Sequence, residues 1–451
     1  MENFTSIDPH SGVVLAEYPA ADKTQIQSTI EHSAFAYKHW KQMHVAERSV
    51  LIGKVGAVLL EHKKAYAKLI TMEMGKVLYE AEAEVEKCAA LCAWYAAHAE
   101  ELLQDQKPKF APDHAILHIE PVGIVLGIMP WNFPFWQVFR YAVPALLTGN
   151  TVLLKHAPNV CGCARILQDI FLEAGLPSHV FTSLLIAVDD VEMVIAHPDV
   201  QGVSFTGSDK AGALVAALAG KYIKRSVIEL GGSDPFIVLQ DADMTQAVKT
   251  AVRSRYQNAG QSCIAAKRFF IEEKIYSTFM QAFVQGVERL VMGDPMERGT
   301  HVGPLARPDL AEKISDQVDR SVRAGAKIVT GCSRDHSYIT PGILEAVQTD
   351  QPAFCEELFG PVAAVMQVRD AEEAISLANR SKYGLGATIF TADQEKALYI
   401  AKQLNTGTVS INALMHSDPA LPFGGVKHSG YGKELGAAGL FSFANVKLIG
   451  R

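Results

Sequence analysis

The chain contains no run of 18 apolar residues and no long block of lysine or arginine. A membrane span and a docking surface for nucleic acid or anionic lipid are therefore not expected. A net charge of −7 points the same way. The seven cysteines, at positions 88, 92, 161, 163, 263, 332 and 355, are odd in number and lack the paired spacing of a zinc ribbon. We therefore expect no metal site, no disulfide framework, and a reducing, cytoplasmic setting. Residues 1–12 include Glu2 and Asp8 and no basic segment leading into an apolar one, so no secretory leader is expected. Internal repeats and low-complexity linkers are also missing.

What is present is apolar mass. Hydrophobic residues make up 49% of 451 positions, and mean hydropathy is +0.09. A chain of this length exceeds the limit of about 250–300 residues for one core, so two substantial domains are expected. From Lys23 to Leu103 the periodicity is helical, with Ile26, Ile30, Ala34 and Tyr37 on one face. Ala115 to Glu120 reads as a strand with no hairpin partner nearby. Between Gly123 and Glu229, short β-rich runs alternate with helices, and a second such series extends from Phe236 to about Ile411. The fold class is α/β, with doubly wound, mainly parallel sheets whose ligand sites form at the carboxyl ends of strands.

Several short segments carry chemistry. Val227 to Gly232 places Glu229 at the end of an apolar strand, where burial raises a carboxyl pKa and suits it to base work. Cys263 follows Gly260-Gln261-Ser262, residues too small and polar to be ordinary core packing, and a thiolate there is a nucleophile. In Pro130-Trp131-Asn132-Phe133-Pro134 an amide is held between rings, either as a donor to an oxyanion or as a structural turn. Phe205-Thr206-Gly207-Ser208, with Gly212 beyond, joins a strand to a helix. Gly207 permits the turn and Ser208 caps a helix whose amides can face a phosphate, although a purely geometric turn uses the same residues. Glu356-Glu357-Leu358-Phe359-Gly360-Pro361 and Pro422-Phe423-Gly424-Gly425 complete the set.

In this order and over essentially the whole length, these motifs resemble the NAD(P)-dependent aldehyde dehydrogenase superfamily. The resemblance implies Cys263 as nucleophile, Glu229 as general base, and Asn132 with the Cys263 backbone amide as oxyanion hole. It implies that Lys155 and Glu357 hold the riboses of NAD or NADP. Phe359 then lies beside the nicotinamide, with Trp131 and Ser208 near the adenosine diphosphate portion. It divides the chain into a dinucleotide-binding domain (1–102 and 122–228), a catalytic domain (229–436) and a small β oligomerisation element (103–121 and 437–451), with a homodimer or homotetramer as the assembly.

Within the family, His156-Ala157-Pro158-Asn159 and Glu229 to Pro235 look most like the bacterial succinate-semialdehyde dehydrogenase branch. Better-known members of that activity carry substrate-binding arginines where this chain has Phe139 and Gln257, which makes the adjacent Arg140 and Arg255 the candidates, together with Ser417 of the His416–Asp418 loop. NAD-selective relatives place a Glu where Pro158 stands, so NADP is expected to be accepted. The alternatives are a broad-specificity or other small-aldehyde dehydrogenase, a CoA-acylating relative, and a non-catalytic binding protein.

Overall fold

Strands buried on both faces and helices with a single apolar stripe sort the chain into two open sheets. The structure is a computed structural model that describes residues 3–107, 109, 112 and 115–450. Thr151–His156 is buried along its whole length, a condition met where helices cover both sides of a parallel sheet. That sheet runs, in spatial order, Gly430–Tyr431, Arg225–Glu229, Val200–Thr206, Ile124–Met129, Thr151–His156 and Phe181–Ser183. All are parallel except Gly430–Tyr431. Strand alternation divides its side chains between two cores. Val125, Val152 and Leu154 pack with Ile52 and Val55 of the Val45–Glu61 helix, while Ile124, Leu126 and Leu153 pack with Ile26 and Ile30 of the Lys23–Trp40 helix.

Strand order reverses between Ile124–Met129 and Val200–Thr206, so the loops leaving Met129 and Thr206 diverge and open a crevice. The second sheet runs Lys327–Thr330, Gly342–Glu345, Val362–Val368, Ala266–Glu272, Asp234–Val238, Gly386–Phe390 and Thr408–Ile411. Only Lys327–Thr330 is antiparallel. Cys263 lies in the loop just before the Ala266–Glu272 strand, and Glu229 ends a strand of the first sheet.

The missing partner of the 115–120 segment lies at the far end of the chain. Ile116–Pro121 pairs antiparallel with Ala444–Ile449 in a separate two-stranded ribbon. Within the expected 229–436 unit, Gly430–Tyr431 returns to the first sheet beside Ile228 and Glu229. Positions 1, 2, 108, 110, 111, 113, 114 and 451 lie outside the described residues, and with them parts of the expected 1–102, 103–121 and 437–451 segments. Among the described residues no helix is long and apolar enough to cross a membrane, and no group of three or more His, Cys, Asp or Glu is placed to hold a metal.

Asn150 ties together the end of this sheet opposite the crevice, where the Ile124–Met129 and Thr151–His156 strands begin. Its Oδ1 accepts from Val122 N (2.8 Å) and Gly123 N (3.1 Å), and its Nδ2 donates to the carbonyls of Ala145 (3.1 Å) and Phe443 (2.9 Å). Asn150→Leu strands buried donors and acceptors that cost about 1–3 kcal/mol each when unpaired. We expect a loss of about 3 kcal/mol or more in denaturant unfolding; a loss below about 0.5 kcal/mol would show these groups to be paired by other means.

Candidate active site

The approach to Cys263 is strained. Asn258, Ala259 and Gly260 have φ of 53°, 50° and 72°, a left-handed stretch that costs the two non-glycine residues about 1–3 kcal/mol each. Buried charges hold it. Asn258 N–H donates to Glu80 (2.8 Å), and burial has raised the Glu80 pKa to about 7. Arg255 Nη2 donates to the carbonyls of Gly260 (2.7 Å) and Gly360 (2.8 Å), and Nη1 to that of Ala266 (3.0 Å). This corrects the expectation for Arg255. Its side chain is fully buried, lines neither cavity beside Cys263, and serves as a clamp on the loop that carries Cys263.

A mesh of amides joins this loop to the Pro130–Pro134 turn. Asn132 Nδ2 donates to Gln261 O (3.0 Å), which also accepts from Asn258 Nδ2 (3.1 Å); the latter donates in addition to Asn132 O (2.8 Å). Gln261 Oε1 accepts from Ala306 N (3.0 Å). Behind the turn, His156 Nε2 donates to Pro134 O (2.8 Å) while Nδ1 accepts from Ala157 N (2.9 Å); burial lowers its pKa to about 4, so the ring is neutral. Lys267, also fully buried, donates to the carbonyls of Ser262 and Cys263 (2.8 Å each) and pairs with Glu357 (3.3 Å). The motifs include His156 but give it no part in supporting this turn, and they do not include Lys267. A lysine four residues after the cysteine was the only available cue.

Cys263 stands where two cavities meet. One is lined by Trp131, Asn132, Gly207, Ser208, Glu357 and Phe359, among others. Its aromatic wall is the edge-to-face pair Trp131–Phe359, with centroids 5.9 Å apart. Ser208 caps the Asp209–Lys221 helix by accepting from Ala211 N (3.3 Å). Thr206 Oγ1 is buried at the same rim with no partner among the described residues, and Arg307 and Lys313 add positive charge to the lining. Helix amides, an orphaned hydroxyl and two cations fit a phosphate-bearing ligand.

Two of the expected cofactor residues do not reach this lining. Lys155 Nζ donates to His156 O (3.2 Å) at the end of its strand. Gly212 acts by packing, since a Cβ there would lie 2.3 Å from Leu230 Cδ2.

The other cavity is lined by Lys87, Trp136, Arg140, Ser417 and Phe423, among others. Lys87 Nζ donates to Ser417 Oγ (2.8 Å) and sits 4.1 Å from the Trp136 ring centroid. Burial, reinforced by Arg140, lowers its pKa to about 8. Among the described residues it has no carboxylate within ion-pair distance. Arg140 is also engaged: Nε lies 2.9 Å from Glu434 Oε2, and its guanidinium stacks on Phe423. Lys87 sits mid-helix with no motif around it, and only its position in space reveals it.

Burial raises the Cys263 thiol to about 11, against the pull of Arg140 and Lys267. Glu229 is 2% exposed, both its carboxylate oxygens lack partners among the described residues, and it lines neither cavity. Its Oε1 lies against Gly424, where a Cβ would be 2.6 Å away. Burial and the neighbouring Glu434 carboxylate push its pKa well above the usual carboxylate range, with Arg140 and Lys433 opposing.

A raised carboxyl pKa means that the native state keeps a proton which the unfolded chain releases. The associated stability is full at acid pH and is lost as pH rises past the usual carboxylate range. Glu229→Gln carries no such loss. Its thermal midpoint, relative to the parent, is expected to climb between about pH 5 and about pH 8. A pH-independent difference would mean that the carboxyl titrates normally.

The aldehyde dehydrogenase family pattern matches residues 1–449. The chain is 43% identical over 447 residues to the succinate semialdehyde dehydrogenase [NAD(P)+] Sad of Escherichia coli (strain K12), covering 98% of this chain and 97% of that protein. It is also 43% identical over 453 residues to the succinate-semialdehyde dehydrogenase [NADP(+)] of Deinococcus radiodurans, covering 99% and 94%. Among solved structures, the succinic semialdehyde dehydrogenase of Streptococcus pyogenes in complex with NADP+ superposes with a TM-score of 0.96 at 37% identity, covering 99% of both chains. A whole-length family match, close relatives of the same length, and a cysteine placed between a nucleotide-sized cleft and a second pocket make the chain a member of the aldehyde dehydrogenase family.

Proposed function

We propose that this protein oxidises succinate semialdehyde to succinate with NAD(P)+ through a thioester on Cys263. The observation that carries the reading is the position of the thiol at the junction of two unlike cavities, one suited to a nucleotide and one whose lining includes Lys87, Arg140 and Arg253 beside Glu80 and Glu84. The relatives named above are succinate-semialdehyde dehydrogenases, and the S. pyogenes enzyme binds NADP+.

In this reading the Cys263 sulfur, as thiolate, attacks the aldehyde carbon. The oxyanion accepts hydrogen bonds from Asn132 Nδ2 and the Cys263 backbone amide. NAD(P)+, when bound, would supply the acceptor for the hydride released from that carbon. Trp131, Gly207, Ser208, Glu357 and Phe359 would hold the cofactor, with Arg307 and Lys313 facing its phosphates. Pro158 offers no carboxylate to repel a 2′-phosphate, in keeping with use of NADP. Glu229, freed from the Gly424 niche by side-chain rotation, takes a proton from the water that hydrolyses the thioester. No hydrogen bond opposes that rotation among the described residues.

The substrate carboxylate is received by Lys87 and Ser417, with the Arg140 guanidinium adding positive charge from behind. The ribbon of Ile116–Pro121 and Ala444–Ile449, with Val446, Leu448 and Ile449 exposed, pairs subunits into a homodimer or a dimer of dimers. The enzyme works in the cytoplasm.

The purified protein with NADP+ and succinate semialdehyde is expected to form NADPH and free succinate in equal amounts without CoA. Strict dependence on CoA, or preference for short uncharged aldehydes, would contradict this. Lys87→Met is expected to raise KM for succinate semialdehyde about tenfold or more, as loss of a charged hydrogen bond does, while leaving KM for an uncharged aldehyde of similar length within about twofold. Equal effects on both would remove Lys87 from carboxylate recognition.

A further inference from the structure

Among the described residues, Gln137 is the one residue, apart from Cys263, that lines both cavities. It lies in the first turn of the Trp136–Thr148 helix and is 2% exposed. Its backbone is firmly anchored. Glu84, buried and paired with Lys76, accepts the N–H groups of Phe135 (2.9 Å) and Trp136 (3.0 Å), and Gln137 N–H itself donates to Phe133 O (3.2 Å). From this turn Gln137 Nε2 donates to Asn132 Oδ1 (3.0 Å).

The direction of that bond follows from its neighbours. Gln261 O can only accept, so the Asn132 edge facing it must be the NH2. Oδ1 then points to Gln137, which must present its own NH2, since its Oε1 would place acceptor against acceptor. One Asn132 N–H is spent on Gln261 O and the other remains for the oxyanion. Gln137 Oε1 is left buried and without a partner among the described residues, as this orientation requires.

We infer that Gln137 is a positioning residue for the reaction, fixing the Asn132 amide with its free N–H toward the oxyanion by accepting no alternative orientation. This rests on the oxyanion role proposed for Asn132. A methionine at 137 removes one of the two constraints on the amide. A glutamate accepts from the Asn132 NH2 and draws it away from the oxyanion.

The test is the single-turnover burst of NADPH from the full-length protein with saturating NADP+ and succinate semialdehyde. Gln137→Met is expected to slow the burst about tenfold or more. The dissociation constant for NADP+ and the pH midpoint for alkylation of Cys263 by iodoacetamide are expected to stay within about twofold and about 0.3 pH unit of the parent, because no charge is altered. Placed in an Asn132→Ala background, Gln137→Met should cost nothing further, because Gln137 acts through Asn132. Gln137→Glu is expected to be slower than Gln137→Met and serves alone if the methionine variant does not fold. A parental burst rate in either variant, or an equal loss with and without Asn132, overturns the inference. An unimpaired burst in Asn132→Ala alone would overturn the oxyanion reading itself, a distinct result.

Discussion

The carbonyl of Gln261 is the atom on which the site depends. It accepts from Asn132, carried by a loop of the first sheet, and from Asn258, carried by the strained loop before the second. With Asn258 Nδ2 donating to Asn132 O as well, these bonds tie together an amide donor and a thiol that belong to different sheets. Such precision in a loop is costly in strain, and buried polar groups offset it. Arg255 donates to three backbone carbonyls, and Glu80 accepts an amide of the left-handed turn. The catalytic geometry is thus a property of a buried polar network, where each unmade bond is expensive.

Charge is distributed with the same economy. On the side of the Trp131–Phe359 cleft, Lys267 pairs with Glu357 and holds the carbonyl of Cys263, so the cation steadies the Cys263 loop and the cleft wall together. On the other side, Lys87 and Arg140 share a pocket with aromatic faces, and of the two only Arg140 has a carboxylate within ion-pair distance among the described residues. The Cys263 thiol is held protonated by burial, with Arg140 and Lys267 pulling toward thiolate. Positive charge arriving in the adjoining cleft would act in the same direction, which ties activation of the sulfur to occupancy of the site.

Much of this was legible in the sequence. The β-rich runs after Gly123 marked the first sheet's strands because their burial on both faces leaves continuous apolar segments. The turn residues at Gly207 and Ser208 marked its crevice. The motifs placed Cys263, Asn132, Glu357 and Phe359 against one cleft, as the structure has them. Direction was the failing. Arg255 and Gln257 are two residues apart, but the helix ends between them, and Arg255 turns into the protein while Gln257 faces the pocket. Lys155 likewise ends a strand with its ammonium on a neighbouring carbonyl. Lys87 and Gln137 lie inside helices with no turn chemistry to flag them, and Gly430–Tyr431 rejoins the first sheet through a pairing far away in sequence. Such features are fixed by tertiary packing, which spacing along the chain does not encode.

In the proposed reaction the acyl group is carried by Cys263 and released by Glu229. Mass spectrometry of the Glu229→Gln enzyme, quenched after mixing with NADP+ and succinate semialdehyde, reads both roles at once. One equivalent of NADPH per site and a succinyl group on the peptide bearing Cys263 are expected, the adduct persisting because hydrolysis is blocked. A full burst with unmodified Cys263, or an adduct on another side chain, would contradict those roles.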